Sequence, residues 1–416
     1  MRFIYNLGIL IFVFLTRILS PFNSKARLWS EGRKNWEASL KRSIKPGNKY
    51  LWIHCASLGE FEQGRPVIEL LKKEKPEYKI VLTFFSPSGY EIRKNYTFAD
   101  YVCYLPADTP GNSKKFISIL NPVLAIFVKY EFWNNYISVL YGEKIPLYLI
   151  SAIFRAEQPF FRWYGAFFRR MLFRFSHIFV QDEHSCALLK KIGVEDFSVA
   201  GDTRFDRVVQ IAKTAKDIPE LEAFSNGEKI LLAGSSWQPD EEIIARYINR
   251  YPENMKWVFA PHEIDKPNIE RIEKLFTTKV VRFSEFTEKS VDARVMIIDN
   301  IGMLSSAYRY AWIAAIGGGF GKGIHNVLEA ACWGIPVVFG PNFKKFREAS
   351  DLINLSGARS FRTFEEFSRI VDDWLIDTGT YLSSAKSAAD YVKRNAGATA
   401  MIFNRIVQKD MNNKRS

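Results

Sequence analysis

The chain has 416 residues, 47% hydrophobic and 25% charged, enough apolar material for two globular domains with their own cores and too much for a disordered chain. Its net charge of +13 calls for an anionic partner, and charge alone leaves nucleic acid, acidic lipid and a phosphorylated substrate open. Four widely spaced cysteines, Cys55, Cys103, Cys186 and Cys332, and histidines without a His-x-x-x-His pair argue against a metal centre or a catalytic thiol, so reduced thiols, a cytoplasmic setting and no bound metal are expected.

From Phe3 to Leu15 the chain is apolar except for Asn6, and Arg17 interrupts the run before Ile18, Leu19 and Pro21. This falls short of the roughly 20 apolar residues of a comfortable membrane span. No small-residue cleavage site follows; Lys25, Arg27, Arg33, Lys34, Lys41 and Arg42 do. The pattern predicts an uncleaved anchor over residues 1–22, either a marginal span or a helix in the interface, with a buried N-terminal helix as the alternative.

Short apolar runs then recur at Tyr50–His54, Ile80–Phe84, Val123–Val128, Pro146–Ile150 and Ile178–Val180, separated by helical patterns such as Phe61–Lys73 and Glu131–Tyr141. After a polar stretch the alternation restarts at Ile230–Ala233, Trp257–Ala260, Val295–Ile298, Ala311–Ile316 and Val337–Phe339, and helical patterns at Phe364–Ile376 and Tyr381–Ile406 precede a frayed tail, Asn412–Ser416. Two α/β halves with parallel sheets, residues 23–216 and 217–416, are predicted, the last helix free to pack back on the first half. Two open doubly wound sheets bring their ligand loops to the carboxyl ends of their strands, around one cleft.

Several strand ends carry candidate chemistry. In WIHCASLGEFEQGRP, Glu60 follows the first strand and is either a general base or the acid of a helix cap; Arg65 is either an anion contact or a surface charge. Glu131 in VKYEFWNN and Arg204 in GDTRFDR have the same ambiguity. FFRWYGAFFRRMLFRF, residues 160–175, alternates aromatics with Arg162, Arg169, Arg170 and Arg174, a pattern suited to acidic headgroups, to RNA stacking or to a core helix with solvated arginines. AIGGGFGKGIHNVLEAACWGIPVVFGP reads as a strand, a loop holding Gly317, Gly318, Gly319, Gly321 and Gly323, and a helix opening near His325 and Asn326. Glycines and unpaired helix amides suit a phosphate, and Glu329 one turn later suits a ribose diol. A ligand-free tight turn is the alternative. No Gly-x-x-x-x-Gly-Lys-Ser/Thr P-loop is present.

The segments ASLGE with Glu60, YEFWN with Glu131, GDTRFD with Arg204, APH with His262, DNIGM with Met303 and GGGFGKGIHNVLEAA with Glu329 occur in the order and rough spacing of the bacterial Kdo transferases. The chain resembles that family over nearly its whole length. Its members transfer 3-deoxy-D-manno-octulosonic acid (Kdo) from CMP-Kdo to a lipid A precursor. The resemblance implies an α/β GT-B fold and an inverting transfer without metal or cofactor, with the acceptor on the N-terminal half and CMP on the C-terminal half. It makes Glu60 the general base and gives Glu131 and Arg204 transition-state-stabilising positions. CMP contacts fall at Ala260, Pro261 and His262, at Ile301, Gly302 and Met303, and at Asn326, Val327, Leu328 and Glu329; apart from these, Gly318, Lys322 and Arg65 are candidates for other substrate contacts. The implied setting is the cytoplasmic face of the inner membrane, with CMP-Kdo, a lipid A precursor and anionic lipid as partners and no nucleic acid.

Three departures from the family pattern stand out. Ala260-Pro261-His262 replaces Pro-Arg-His, leaving His262 or Lys322 to make up for an arginine; Lys129-Tyr130-Glu131 replaces Glu-Thr-Glu; and Arg204 replaces a lysine, keeping the charge but not the geometry. Another GT-B nucleotide-sugar enzyme, a UDP-sugar transferase or epimerase, and a non-catalytic basic protein of membrane surfaces are the alternatives.

Overall fold

The computed structural model describes residues 1–411, so the tail expected to fray, Asn412–Ser416, lies outside the described residues. The chain divides into two compact units. The first is Met1–Asp206 together with the C-terminal stretch from Gly397, and the second is Arg207–Ala396. The expected boundary at 216/217 is thus replaced by a split after Asp206, inside the helix Thr203–Thr214.

The first unit is built on seven strands: β1 Lys49–Cys55, β2 Tyr78–Phe84, β3 Tyr101–Tyr104, β4 Pro122–Val128, β5 Leu147–Ala152, β6 His177–Val180 and β7 Phe197–Val199. All pair in parallel, in the order β3-β2-β1-β4-β5-β6-β7. Alternate residues of each strand enter different cores. Trp52, Phe127 and Leu149 pack on one face with Phe116, Tyr136 and Leu140 from the helices Pro110–Leu120 and Asn134–Gly142. Leu51, Ile53, Ile126 and Ile150 pack on the other with Phe61 and Ile68 of the helix Leu58–Glu74 and with Ile402 and Ile406 of Ala398–Ile406. Burial on both faces is why these strands read as continuous apolar runs rather than alternating ones.

The second unit repeats the scheme with β8 Ile230–Ser236, β9 Lys256–Pro261, β10 Val280–Arg282, β11 Val295–Ile297, β12 Ile313–Ile316, β13 Val337–Phe339 and β14 Ala358–Ser360, all parallel, in the order β10-β11-β9-β8-β12-β13-β14. The expected architecture of two doubly wound parallel sheets is therefore present. Four strands escaped the sequence reading, β3, β7, β10 and β14, and they are the outermost strands of the two sheets. Each is short and only partly buried: β7, β10 and β14 are three residues long and include a polar residue, and β3, apolar throughout, is only four residues long.

The N-terminal segment is an 18-residue helix, Arg2–Leu19, none of whose residues is buried. By length and composition it could cross a membrane. It lies against the first unit: Tyr5 donates to Asp108 Oδ2 at 2.5 Å, Asn135 Nδ2 donates to Asn6 Oδ1 at 2.9 Å, and the Phe12 ring meets Trp29 edge-on at 5.3 Å.

Candidate functional site

Each sheet has a point where the strand order turns back on itself, between β1 and β4 in the first unit and between β8 and β12 in the second. In open α/β sheets the crevice beyond the carboxyl ends of the strands at such a point is where ligands bind. ASLGE follows β1 and YEFWN follows β4; the Trp237 segment follows β8 and the glycine loop follows β12.

At the first switch point β1 runs into the helix Leu58–Glu74 through Ser57. Glu60 closes a capping box there, its Oε2 accepting from the Ser57 backbone N–H at 3.1 Å and from the Ser57 hydroxyl. The capping role left open by the sequence is thus realised, and it occupies one oxygen. Oε1 of this half-buried side chain has no hydrogen bond to protein among the described residues. Glu131, only 6% exposed, is held more firmly: its Oε2 lies 2.9 Å from His54 Nε2 and accepts from Trp133 Nε1 at 2.5 Å. His54 is fully buried and anchored at Nδ1 by Thr83, 2.9 Å to the hydroxyl and 3.1 Å to the carbonyl.

Arg204 meets Asp202, whose Oδ2 lies 2.9 Å from Nε and 2.7 Å from Nη2. Asp202 also accepts from Gln63 Nε2 at 3.3 Å, and the Thr203 hydroxyl donates to the Gln63 carbonyl at 2.5 Å, so the Arg204 segment is fastened to the helix that carries Glu60. Arg65 pairs along that same helix with Glu69 at 2.7 Å.

At the second switch point Gly317 N–H extends the sheet by donating to the Gly234 carbonyl at 3.0 Å. Gly318 sits at φ +88°, a conformation glycine adopts without strain, and donates to Asp240 Oδ2 at 3.0 Å; a Cβ on Gly319 would stand 2.5 Å from the Gly340 nitrogen, which only glycine avoids. Asp240 also accepts from Trp237 N–H at 3.0 Å, and burial pushes its carboxyl up to about 6.

Three rings gather beside this loop. His262, at the end of β9, stacks on Trp237 at 4.6 Å and on His325 at 4.7 Å. Trp237 Nε1 donates to His325 Nε2 at 3.0 Å, which places the His325 proton on Nδ1. Burial, and then His262, keep His325 below the ordinary imidazole range.

The helix expected near His325 is Leu328–Ala331. Asn326 Oδ1 accepts from Leu328 N–H at 3.1 Å, Asn326 Nδ2 donates to Glu329 Oε1 at 3.0 Å, and Ser305 Oγ donates to Glu329 Oε2 at 2.6 Å. Ser305 thereby links the Met303 segment to Glu329. Each carboxylate oxygen keeps one acceptor site for a ligand hydroxyl. Val327, Leu328, Ala260 and Pro261 are buried. Gly302 turns the chain at φ +99° beside Ile301, which is 87% exposed. Lys322 is exposed on the loop, its carbonyl accepting from the Lys345 ammonium.

The sequence reading thus missed His54, Trp237, Asp240 and Ser305 as parts of these sites, and took His325 only as the opening of a helix. Trp237 and Asp240 carried a usable signal, since GSSWQPDE repeats the pattern of ASLGE: a strand end followed by an acid in the first helical turn.

A family model described as 3-Deoxy-D-manno-octulosonic-acid transferase (kdotransferase) matches residues 31–207. The 3-deoxy-D-manno-octulosonic acid transferase of Aquifex aeolicus is 29% identical over 326 residues, covering 76% of this chain and 83% of its own. The Haemophilus influenzae enzyme of the same name is 28% identical over 316 residues, 73% of each chain. The chain is thus similar to Kdo transferases over about three quarters of its length. Among solved structures, the chain is similar in fold to the UDP-GlcNAc 2-epimerase of Neisseria meningitidis bound to UDP-GlcNAc, with a TM-score of 0.60 at 18% identity, covering 87% of this chain and 100% of that one. A glycosyltransferase from Rickettsia africae gives a TM-score of 0.56 at 12% identity over 88% and 100%. The fold is GT-B-like, and the matched region 31–207 contains Glu60, Glu131 and Arg204.

Proposed function

We propose that this chain is a Kdo transferase that moves Kdo from CMP-Kdo to a hydroxyl of a lipid A precursor with inversion, at the cytoplasmic face of the inner membrane, with Glu60 as general base. The observation that carries this reading is the placement of the motif residues at the two switch points, with a half-buried carboxylate that keeps one oxygen outside its helix cap. Glu60 Oε1 takes the proton as the acceptor oxygen attacks the anomeric carbon and the bond to the CMP phosphate breaks. Glu131, oriented by His54 and Trp133, and Arg204, oriented by Asp202, stabilise the charge that develops.

CMP sits on the second unit. Its phosphate lies at the glycine loop and the amides before Leu328, its ribose at Glu329, and His262 serves in place of the arginine absent at Pro261. The exposed Phe3, Leu7 and Phe14 of the N-terminal helix enter the interface of the bilayer, and the contacts of Tyr5, Asn6 and Phe12 with the first unit favour a helix lying in that interface.

The test is Glu60→Gln. Glutamine retains the cap acceptor, so circular dichroism and melting temperature stay at wild-type values, but it cannot accept the proton. Transfer from CMP-Kdo to the lipid A precursor is expected to fall by about 10²–10⁴-fold. Near wild-type turnover removes Glu60 as the base, and turnover of UDP-GlcNAc in place of CMP-Kdo by the wild type rejects the donor assignment.

A further inference from the structure

One region of the first unit is used by none of this chemistry. A hollow of about 630 Å³ is lined by Arg2, Asn134, Val139, Phe167, Arg170 and Arg174. Arg174 donates to Ser138 Oγ at 2.6 Å, and among the described residues none of the three arginines pairs with a carboxylate. The guanidiniums are close enough to act on one another, since Arg174 is held below the usual arginine range by burial first and then by Arg2 and Arg170. Like charges gathered without a counter-ion are costly and mark a place completed by an anion.

Two further observations point the same way. The helix Arg2–Leu19 begins at this hollow with no side-chain cap and no acidic residue in its first turn, so its N-terminal amides add positive potential. Asn134, only 4% exposed, has an Nδ2 that is buried and lacks any hydrogen-bond partner. A buried amide without an acceptor is destabilising unless a ligand supplies one. The apolar lining adjoins the exposed Phe3 and Ile4 of the same helix, which suits a ligand presented by a lipid rather than one free in solution.

We infer that this hollow binds a phosphate ester carried by a lipid, with Arg2, Arg170 and Arg174 as its cations and Asn134 Nδ2 as a donor to a phosphate oxygen. The inference rests on the reading of this chain as an enzyme acting on a membrane lipid, and it names the part of that lipid gripped away from Glu60. Asn134 stands three residues after Glu131, so a phosphate held here fixes one end of the acceptor beside the segment that carries Glu131.

The test uses the full chain and the variants Arg170→Gln, Arg174→Gln and Asn134→Asp. Asn134 is the first residue of its helix, where aspartate is well tolerated, so Asn134→Asp puts a negative charge into the hollow without harming the fold. Flotation with phosphatidylcholine vesicles containing phosphatidic acid is expected to weaken about tenfold for each arginine removed, and more for Asn134→Asp, while pure phosphatidylcholine binds every variant as it does wild type. In transfer assays in detergent, KM for a phosphorylated lipid A precursor rises by a similar factor, KM for CMP-Kdo stays constant, and a dephosphorylated acceptor shows no difference between variant and wild type. Weaker flotation with unchanged acceptor KM identifies the ligand as a bulk phospholipid headgroup; a raised acceptor KM identifies it as the acceptor's own phosphate. Arg170→Gln and Asn134→Asp matching wild type in both assays would overturn the site. Wild-type protein that floats as described but transfers no Kdo refutes the transferase reading and leaves the hollow standing.

Discussion

Asp240 illustrates what a single residue decides here. Its Oδ2 fastens the glycine loop through Gly318 N–H while its Oδ1 is buried with no partner, so ionising it in place is unfavourable. Because its folded pKa, about 6, lies above the ordinary 3.8, the folded state binds more proton than the unfolded one between those values. Stability therefore falls as pH rises through that window, and the cost is complete above it. A displacement of this size is worth on the order of 3 kcal/mol. Asp240→Asn keeps an acceptor for both amides, so we expect it to raise the melting temperature at pH 8, to leave it unchanged near pH 3.5, and to flatten the profile between. A variant less stable than wild type at pH 8 would show that the carboxylate is needed for more than its hydrogen bonds. Glu60 makes the complementary case: its sequence context admitted both a cap and a base, and the geometry uses one oxygen for the cap.

At the scale of elements, the helix Arg2–Leu19 combines a docked stripe with an apolar face open to solvent. Asn6, the polar interruption in the apolar run, has its use here, since it accepts from Asn135 and helps tie the helix to the first unit. Phe3 and Phe14 are 77% and 63% exposed and touch none of these anchors. Burying a phenylalanine in the interface is worth about 1.5–3 kcal/mol, so Phe3→Ser with Phe14→Ser is expected to lower partition onto anionic vesicles by at least about tenfold, with an unchanged melting temperature. Sedimentation with vesicles checks this, and equal partition of variant and wild type rejects the helix as the membrane contact.

For the whole molecule, the chain's last described segment belongs to its first unit. Asp206 accepts from Gly397 N–H at 2.6 Å and from Thr399 N–H at 2.8 Å, and Ile402 and Ile406 complete the core behind β1 and β4. Ile402→Ala is expected to cost about 2–5 kcal/mol. Hydrogen exchange is expected to quicken in β1, β2 and β4 and to stay unchanged in β8, β9 and β12; equal acceleration in both sets would show that the two units do not unfold separately.

The sequence by itself determined the two-sheet α/β plan, because strands buried on both faces must be apolar throughout, and it placed Glu60, Glu131 and His262 at strand ends and Glu329 in the helix after the glycine loop, because the loops that follow buried strands are marked by polar residues, glycine and capping acids. Only the tertiary structure decided the rest. Edge strands are short and only partly buried, which leaves little pattern to read, and Gly397, at φ +119°, breaks what reads as one helix from Tyr381 to Ile406 so that the chain returns to its first unit. The contact of His54 with Glu131, the stack of Trp237 on His262, and the gathering of Arg2 with Arg170 and Arg174 join residues far apart in the chain. Such contacts depend on strand order, and strand order is set by packing that no local pattern encodes.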